Sequence, residues 1–162
     1  MRLIATDQAS NVSGIAVLDD GVPIHYEAID LSKDKDPDHR TKEMFLAIVA
    51  LFEQYKPDYI AVEGVQKQAN DKTMIMLSGL RGMLIGWAYC HCIPIVSPMP
   101  VEWRCVLGYA QGPKVKRDQL KEQSVNYVRE RFGIVATEDE CEAICIGVAM
   151  YSHCLLYTSP SP

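Results

Sequence analysis

The chain has 162 residues, 48% of them apolar and 23% charged, which suits one soluble globular domain with a single core. No apolar run reaches bilayer-spanning length and the N-terminus lacks a signal-peptide pattern, so the chain reads as intracellular, in the cytoplasm. A net charge of −5 is a poor fit to a nonspecific nucleic-acid binder but suits a protein that gathers cations.

Residues 2–7 read as a first strand with Leu3, Ala5 and Asp7 on one face. Residues 13–18 make a second strand, Asp19-Asp20-Gly21 a hairpin signal, and residues 22–29 a third strand. A polar loop over 32–41 leads into a helix whose inner face carries Met44, Ile48 and Leu51, flanked by Phe45, Val49 and Phe52. Pro57 disfavours helix at the residue before it and ends that element. The run 59–63 is short, apolar and closed by Glu63, as a buried parallel strand would be. A second helix over about 72–89 presents Met76, Leu80, Met83 and Trp87. A short strand at 94–96 and small helices near 101–107 and 116–131 follow.

Thr137 opens the last helix. Thr137-Glu138-Asp139-Glu140 has the form of a capping box. Three antiparallel strands, then helix, strand, helix, strand and further helices make an α/β domain over residues 1–153. Residues 154–162 break from the helical pattern and resemble translated adapter read-through or a disordered tail, so they are set aside from function.

Cysteine spacing supports neither a disulfide framework nor a zinc site. The chain has no Cys-x-x-Cys, and Cys90-His91-Cys92 is too tight for a usual knuckle, so the thiols are expected reduced and mostly buried. Between 101 and 131 the cations Arg104, Lys114, Lys116, Arg117, Lys121, Arg129 and Arg131 outnumber the acids Glu102, Asp118, Glu122 and Glu130. This segment is either a phosphate-binding surface or a solvated helix face.

Four acids stand where cores do not normally put them. Asp7 and Glu63 each close an apolar strand, and Asp139 and Glu142 are three apart on one helix face that continues with Ala143, Ile146 and Ala149. If the first and fourth strands are parallel neighbours, their carboxyl ends meet where open α/β sheets bind ligands. Packed carboxylates repel unless a cation joins them, and Mg²⁺ or Mn²⁺ suits an all-oxygen site. Two such ions would activate a water and stabilise the leaving oxygen of a phosphodiester cleavage.

Asp7 with Ser13-Gly14, Ala61-Val62-Glu63-Gly64, and Asp139-x-x-Glu142-Ala143-x-x-Ile146-Gly147 together resemble the RuvC-like Holliday-junction resolvases. Pro100-x-x-Trp103-Arg104-x-x-Leu107-Gly108 and Lys116-Arg117-x-x-x-Lys121 resemble the bacteriophage branch, so a phage gene expressed in a bacterial host fits. The resemblance implies an RNase H-like fold with a mixed five-stranded sheet, a homodimer, and paired nicks across four-way DNA in recombination and repair. It assigns catalytic metal binding to Asp7, Glu63, Asp139 and Glu142, although the family usually has aspartate at the last place. Independently of the resemblance, the basic segment makes Arg104, Lys114, Lys116, Arg117 and Lys121 candidate DNA contacts. Relatives dimerise through the helix matching the second one here, whose Gly79, Gly82 and Gly86 serve either that interface or close packing on the chain's own sheet. Three other readings compete. An RNase H-like nuclease that trims ribosomal RNA precursors would use a similar acidic set. An actin-like nucleotide-binding domain would need a Gly-Thr-rich turn where Gln8-Ala9-Ser10-Asn11 stands, and a catalytically dead DNA-binding scaffold would not keep all four acids.

Overall fold

The computed structural model describes residues 1–66 and 70–158, with side chains described as far as residue 152. Alternating apolar residues build β1 (Arg2–Asp7), β2 (Val12–Asp19) and β3 (Val22–Asp30) as an antiparallel meander, in which Asp7 stands opposite Gly14. After α1 (Pro37–Tyr55), β4 (Tyr59–Val62) returns beside β1 and pairs with it in parallel, Ala5 opposite Ala61 and Thr6 opposite Val62. After α2 (Asp71–Cys90), β5 (Ile95–Val96) extends the parallel side, giving a five-stranded sheet in the order β3-β2-β1-β4-β5. The remaining elements are α3 (Pro100–Val106), α4 (Arg117–Phe132) and α5 (Glu138–Thr158).

Strand alternation divides the core in two. Leu3, Ala5, Ala16 and Leu18 face α5, where Ala143, Ile146 and Ala149 are buried as their helical spacing requires. Ile4, Ile15 and Val17 face the other way, against Met44, Ile48 and Phe52 of α1 and Leu80 and Leu84 of α2. The sheet is thus covered on both sides.

Two expectations need correction. The first helix starts inside the expected loop, at Pro37, because Asp36 accepts from the Asp38 and His39 amides and Pro37 occupies a first-turn position where no N–H is needed. The inner face of α2 is Leu77, Leu80, Leu84 and Ala88. Met83 turns outward at 39% exposure, and Met76 and Trp87 are only partly covered, Trp87 lying 5.2 Å from the Phe52 ring. Of the expected face only Leu80 is buried, because docking against α1 turns the neighbouring stripe inward. Helix α5 keeps helical backbone to Thr158, and residues 159–162 lie outside the described residues.

Gly79, Gly82 and Gly86 meet nothing among the described residues within 4 Å of where a Cβ would stand. Close packing on the chain's own sheet therefore does not account for them. The cysteines depart from expectation as well. Among those described, Cys141 and Cys145 are buried, but Cys90, Cys92 and Cys105 are exposed thiols.

Candidate active site

The site forms because β1 and β4 both run out of strand at the same edge. Parallel pairing places the Thr6 carbonyl against the Glu63 amide, at 3.0 Å, so Asp7 and Glu63 emerge side by side. Burial, then the charges of Glu63 and Glu142, hold the Asp7 carboxyl well above the ordinary aspartate range, and Asp7 shares a hydrogen bond with Glu63. Burial also raises Glu63, against the lowering effect of a hydrogen bond from Trp103.

The start of α5 closes over this edge. The Thr137 amide donates to Glu140 Oε2 at 2.7 Å and the Glu140 amide points back at Thr137 Oγ1 at 3.4 Å, the reciprocal capping expected from the sequence. The helix begins tight against β2, where a Cβ on Gly14 would fall 1.9 Å from the Asp139 carbonyl oxygen. Only glycine permits that approach, and it sets Asp139 across from Asp7. The result is a trio: oxygen atoms of Asp7, Asp139 and Glu142 all lie within 4.8 Å of one another. Glu63 flanks this trio through its bond to Asp7 and is not one of the three.

Cations line the same cleft, which has a volume of about 660 Å³ and holds all four acids with Arg104, Arg117 and Lys121. Arg104 Nη2 bonds Glu142 Oε1 at 2.9 Å, with its guanidinium 4.7 Å from the Trp103 ring centre. The Arg104 side chain is only 15% exposed, and its buried Nε has no partner among the described residues. Lys121 reaches Glu138 at 2.9 Å and Asp139 at 3.5 Å, and these acids hold its ammonium above the ordinary lysine value despite partial burial. Of the expected DNA contacts, Arg104, Arg117 and Lys121 lie in the cleft, whereas Lys114 and Lys116 are exposed outside its lining. Two further contributors were not among the candidate site residues. Trp103 Nε1 donates to Glu63 Oε1 at 2.8 Å, and Gln8 Nε2 donates to the Glu63 carbonyl at 3.1 Å.

The donor set is suited to a hard divalent cation. It consists of carboxylate oxygens, Glu142 is 6% exposed, and after burial the neighbouring carboxylates add to the rise of Asp7, a repulsion that such an ion relieves. No thiol or imidazole belongs to the trio, which disfavours a soft metal.

Comparison with known proteins agrees with this architecture. The family model for crossover junction endodeoxyribonuclease RuvC matches residues 3–145. Among curated relatives, the RuvC of Paraburkholderia phytofirmans is 27% identical over 130 residues, covering 78% of this chain and 72% of its own. That of Caldanaerobacter subterraneus is 25% identical over 164 residues, covering 95% and 92%. Thermus thermophilus RuvC in complex with a Holliday junction substrate superposes with a TM-score of 0.75 at 14% identity, covering 96% of each chain. The fowlpox virus resolvase, bound to Holliday junction DNA, gives 0.68 at 14% identity, covering 96% of this chain and 99% of its own. The family match displaces the ribosomal-RNA-trimming and actin-like alternatives. With its sheet order, its acidic edge and this match over most of its length, the chain belongs to the RuvC family of crossover junction endodeoxyribonucleases.

Proposed function

We propose that this chain is a Mg²⁺-dependent, structure-specific endonuclease that resolves four-way DNA junctions by paired phosphodiester nicks. One observation carries the reading: three carboxylates gathered within 4.8 Å, with a fourth beside them, in a cleft also lined by three cations. Asp7, Glu63, Asp139 and Glu142 would hold the metal, Mg²⁺ or Mn²⁺, in the two-ion arrangement that such acidic sets support. A cation held by these residues would supply an acidified water and charge neutralisation at the cleaved phosphate.

The chain's own residues supply the rest. Arg104 and Lys121 each bridge from a carboxylate toward the cleft, so they orient a phosphate beside the acids. Arg117 extends that surface, and exposed Lys114 and Lys116 add backbone contacts further out. The N-terminus of α5, which carries Asp139 in its first turn, turns the positive end of its helix dipole toward the acidic site.

Paired nicks need two sites, and a second copy of this chain is the simplest source. The outer face of α2 supports this, with Ile75 at 72% exposure, Met83 at 39% and unfilled space over Gly82 and Gly86. Residues 1–153 would carry all of this, with no chemistry in the tail, and the substrate sets the place of action as the bacterial cytoplasm, with the gene of phage or host origin. Synthetic four-way, three-way, flap and linear DNAs in Mg²⁺, with mapped product ends, test the proposal. Symmetric nicks on the four-way junction are expected. Equal cutting of linear duplex, or no cutting with any divalent ion, would reject it.

A further inference from the structure

Glu63 has its main chain pinned on every side. Its amide donates to Thr6 O at 3.0 Å, its carbonyl accepts from Gln8 at 3.1 Å, and the next amide, Gly64, donates to Pro98 O at 2.8 Å. A Cβ on Gly64 would stand 2.6 Å from Met99 Sδ, so the segment leading into α3 presses directly on this turn. The Glu63 side chain, which also shares a hydrogen bond with Asp7, rotates about bonds that these main-chain contacts do not fix. The Trp103 indole sits at that point, 2.8 Å from Oε1.

We propose that Trp103 is a positioning residue of the acidic site, its N–H fixing the Glu63 rotamer and occupying Oε1 so that Oε2 is left for the cation. The inference rests on the metal reading above. Three features suit the indole to the task. It is fully buried, packed edge-on against Tyr109 with ring centres 5.9 Å apart and covered by the Arg104 guanidinium, so its N–H direction cannot wander. It is neutral, so it orients Glu63 without cancelling the charge a cation needs, in contrast to Arg104, which holds Glu142 by an ion pair. It is also adjacent to Arg104, so one short helix sets two ligand carboxylates that come from different elements, β4's end and α5. Outer donors of this kind typically shift metal affinity about 10–100-fold when removed.

The test uses the full-length protein and Mn²⁺ alone, with binding followed by calorimetry and by the Mn²⁺ EPR signal. Trp103→Phe is expected to weaken Mn²⁺ binding by about 10–100-fold. The Mg²⁺ needed for half-maximal cleavage should rise by a similar factor, while the rate at saturating Mg²⁺ approaches that of the wild type. A purely structural role would not produce that split. In a Trp87→Phe background, Mg²⁺ should shift the remaining Trp103 emission with the same midpoint as its binding. Should Trp103→Phe fail to fold, β-(3-benzothienyl)alanine at 103 keeps the ring shape and deletes only the N–H, with the same expected loss. A folded variant of either kind that binds Mn²⁺ within twofold of wild type overturns the proposal. Failure of the wild-type protein to bind Mn²⁺ would overturn the metal reading beneath it, a distinguishable result.

Discussion

Gly14→Ala is a demanding test of how the site is built, because it alters no charged residue. A Cβ at this position would lie 1.9 Å from the Asp139 carbonyl oxygen and 2.4 Å from its carbon, where ordinary contact begins at 3.4 Å. Either the start of α5 or β2 must therefore move by about 1.5 Å. Both partners in this clash are backbone, so no side-chain rotation relieves it. Gly14 pairs with Asp7, so either movement changes the spacing between Asp7 and Asp139. Misplacement of about 1 Å at reacting groups is enough for roughly 100-fold in rate, and overpacking costs about 1–3 kcal/mol in stability. We expect a folded protein with a lowered Tm and at least about a 100-fold loss of four-way-junction cleavage in Mg²⁺. Gly147→Ala is the control. Its Cβ would meet Leu18 Cδ1 at 2.4 Å, a side-chain tip that can turn aside, so stability should fall while cleavage is largely kept. Cleavage by Gly14→Ala within a few-fold of wild type would show that the contact between β2 and α5 does not set the ligand spacing.

Asp7→Asn should abolish cleavage yet leave junction binding largely intact. In EDTA it should also flatten the stability-pH curve, because Asp7 holds a proton in the folded state that the unfolded chain releases. That stability is full below the ordinary aspartate value and is lost as pH rises toward the elevated folded value. Thermal melts across that range check the sign, and equal slopes for wild type and variant would refute it. Mg²⁺ at a hundredfold over its Kd should stabilise the wild type by about 2.7 kcal/mol, on the order of 5–10 °C in Tm, and Asp7→Asn much less. Replacing Lys114, Lys116, Arg117 and Lys121 with Ala should lower the salt dependence of junction binding by about one unit per lost phosphate contact, and an unchanged slope would make the segment a solvated face. Glu142→Asp should keep measurable activity, whereas Glu142→Gln should lose most of it across a Mg²⁺ titration. A fully active Gln variant at low Mg²⁺ would remove Glu142 from the ligand set. Alkylation mapped by mass spectrometry should modify Cys90, Cys92 and Cys105 but spare Cys141 and Cys145, whose thiols burial pushes up to about 11 and about 12. Rapid labelling of Cys145 in the folded protein would contradict its enclosure between α4 and α5.

Local chemistry was legible along the chain. Alternating apolar residues identified β1 and β2, a terminal carboxylate marked β4, and Thr137 with Glu140 announced the start of α5. These depend on neighbours two to four positions away, which a sequence displays directly. The parallel meeting of β1 and β4 was inferable too, since acids closing two apolar strands have few other uses, and the register bears it out.

Other features arose only in three dimensions. Helical spacing pointed to Met76, Leu80, Met83 and Trp87 on α2, but docking against α1 buries Leu77, Leu80, Leu84 and Ala88. Glycine beside Ser13 was visible as a motif, but its reason, backbone contact with Asp139 across 125 positions of chain, was not. Trp103 and Arg104 stood out as a pair without revealing that each grips a different carboxylate, 40 and 38 residues away. Composition and periodicity determine which faces become buried, because burial depends on residue type and local spacing. They do not determine which polar atoms meet, because hydrogen bonds form over about 3 Å while helices dock with several ångströms of freedom. For this chain the sequence alone determined the acids and the sheet that carries them, and the tertiary packing of α3 and α5 decided how those acids are held.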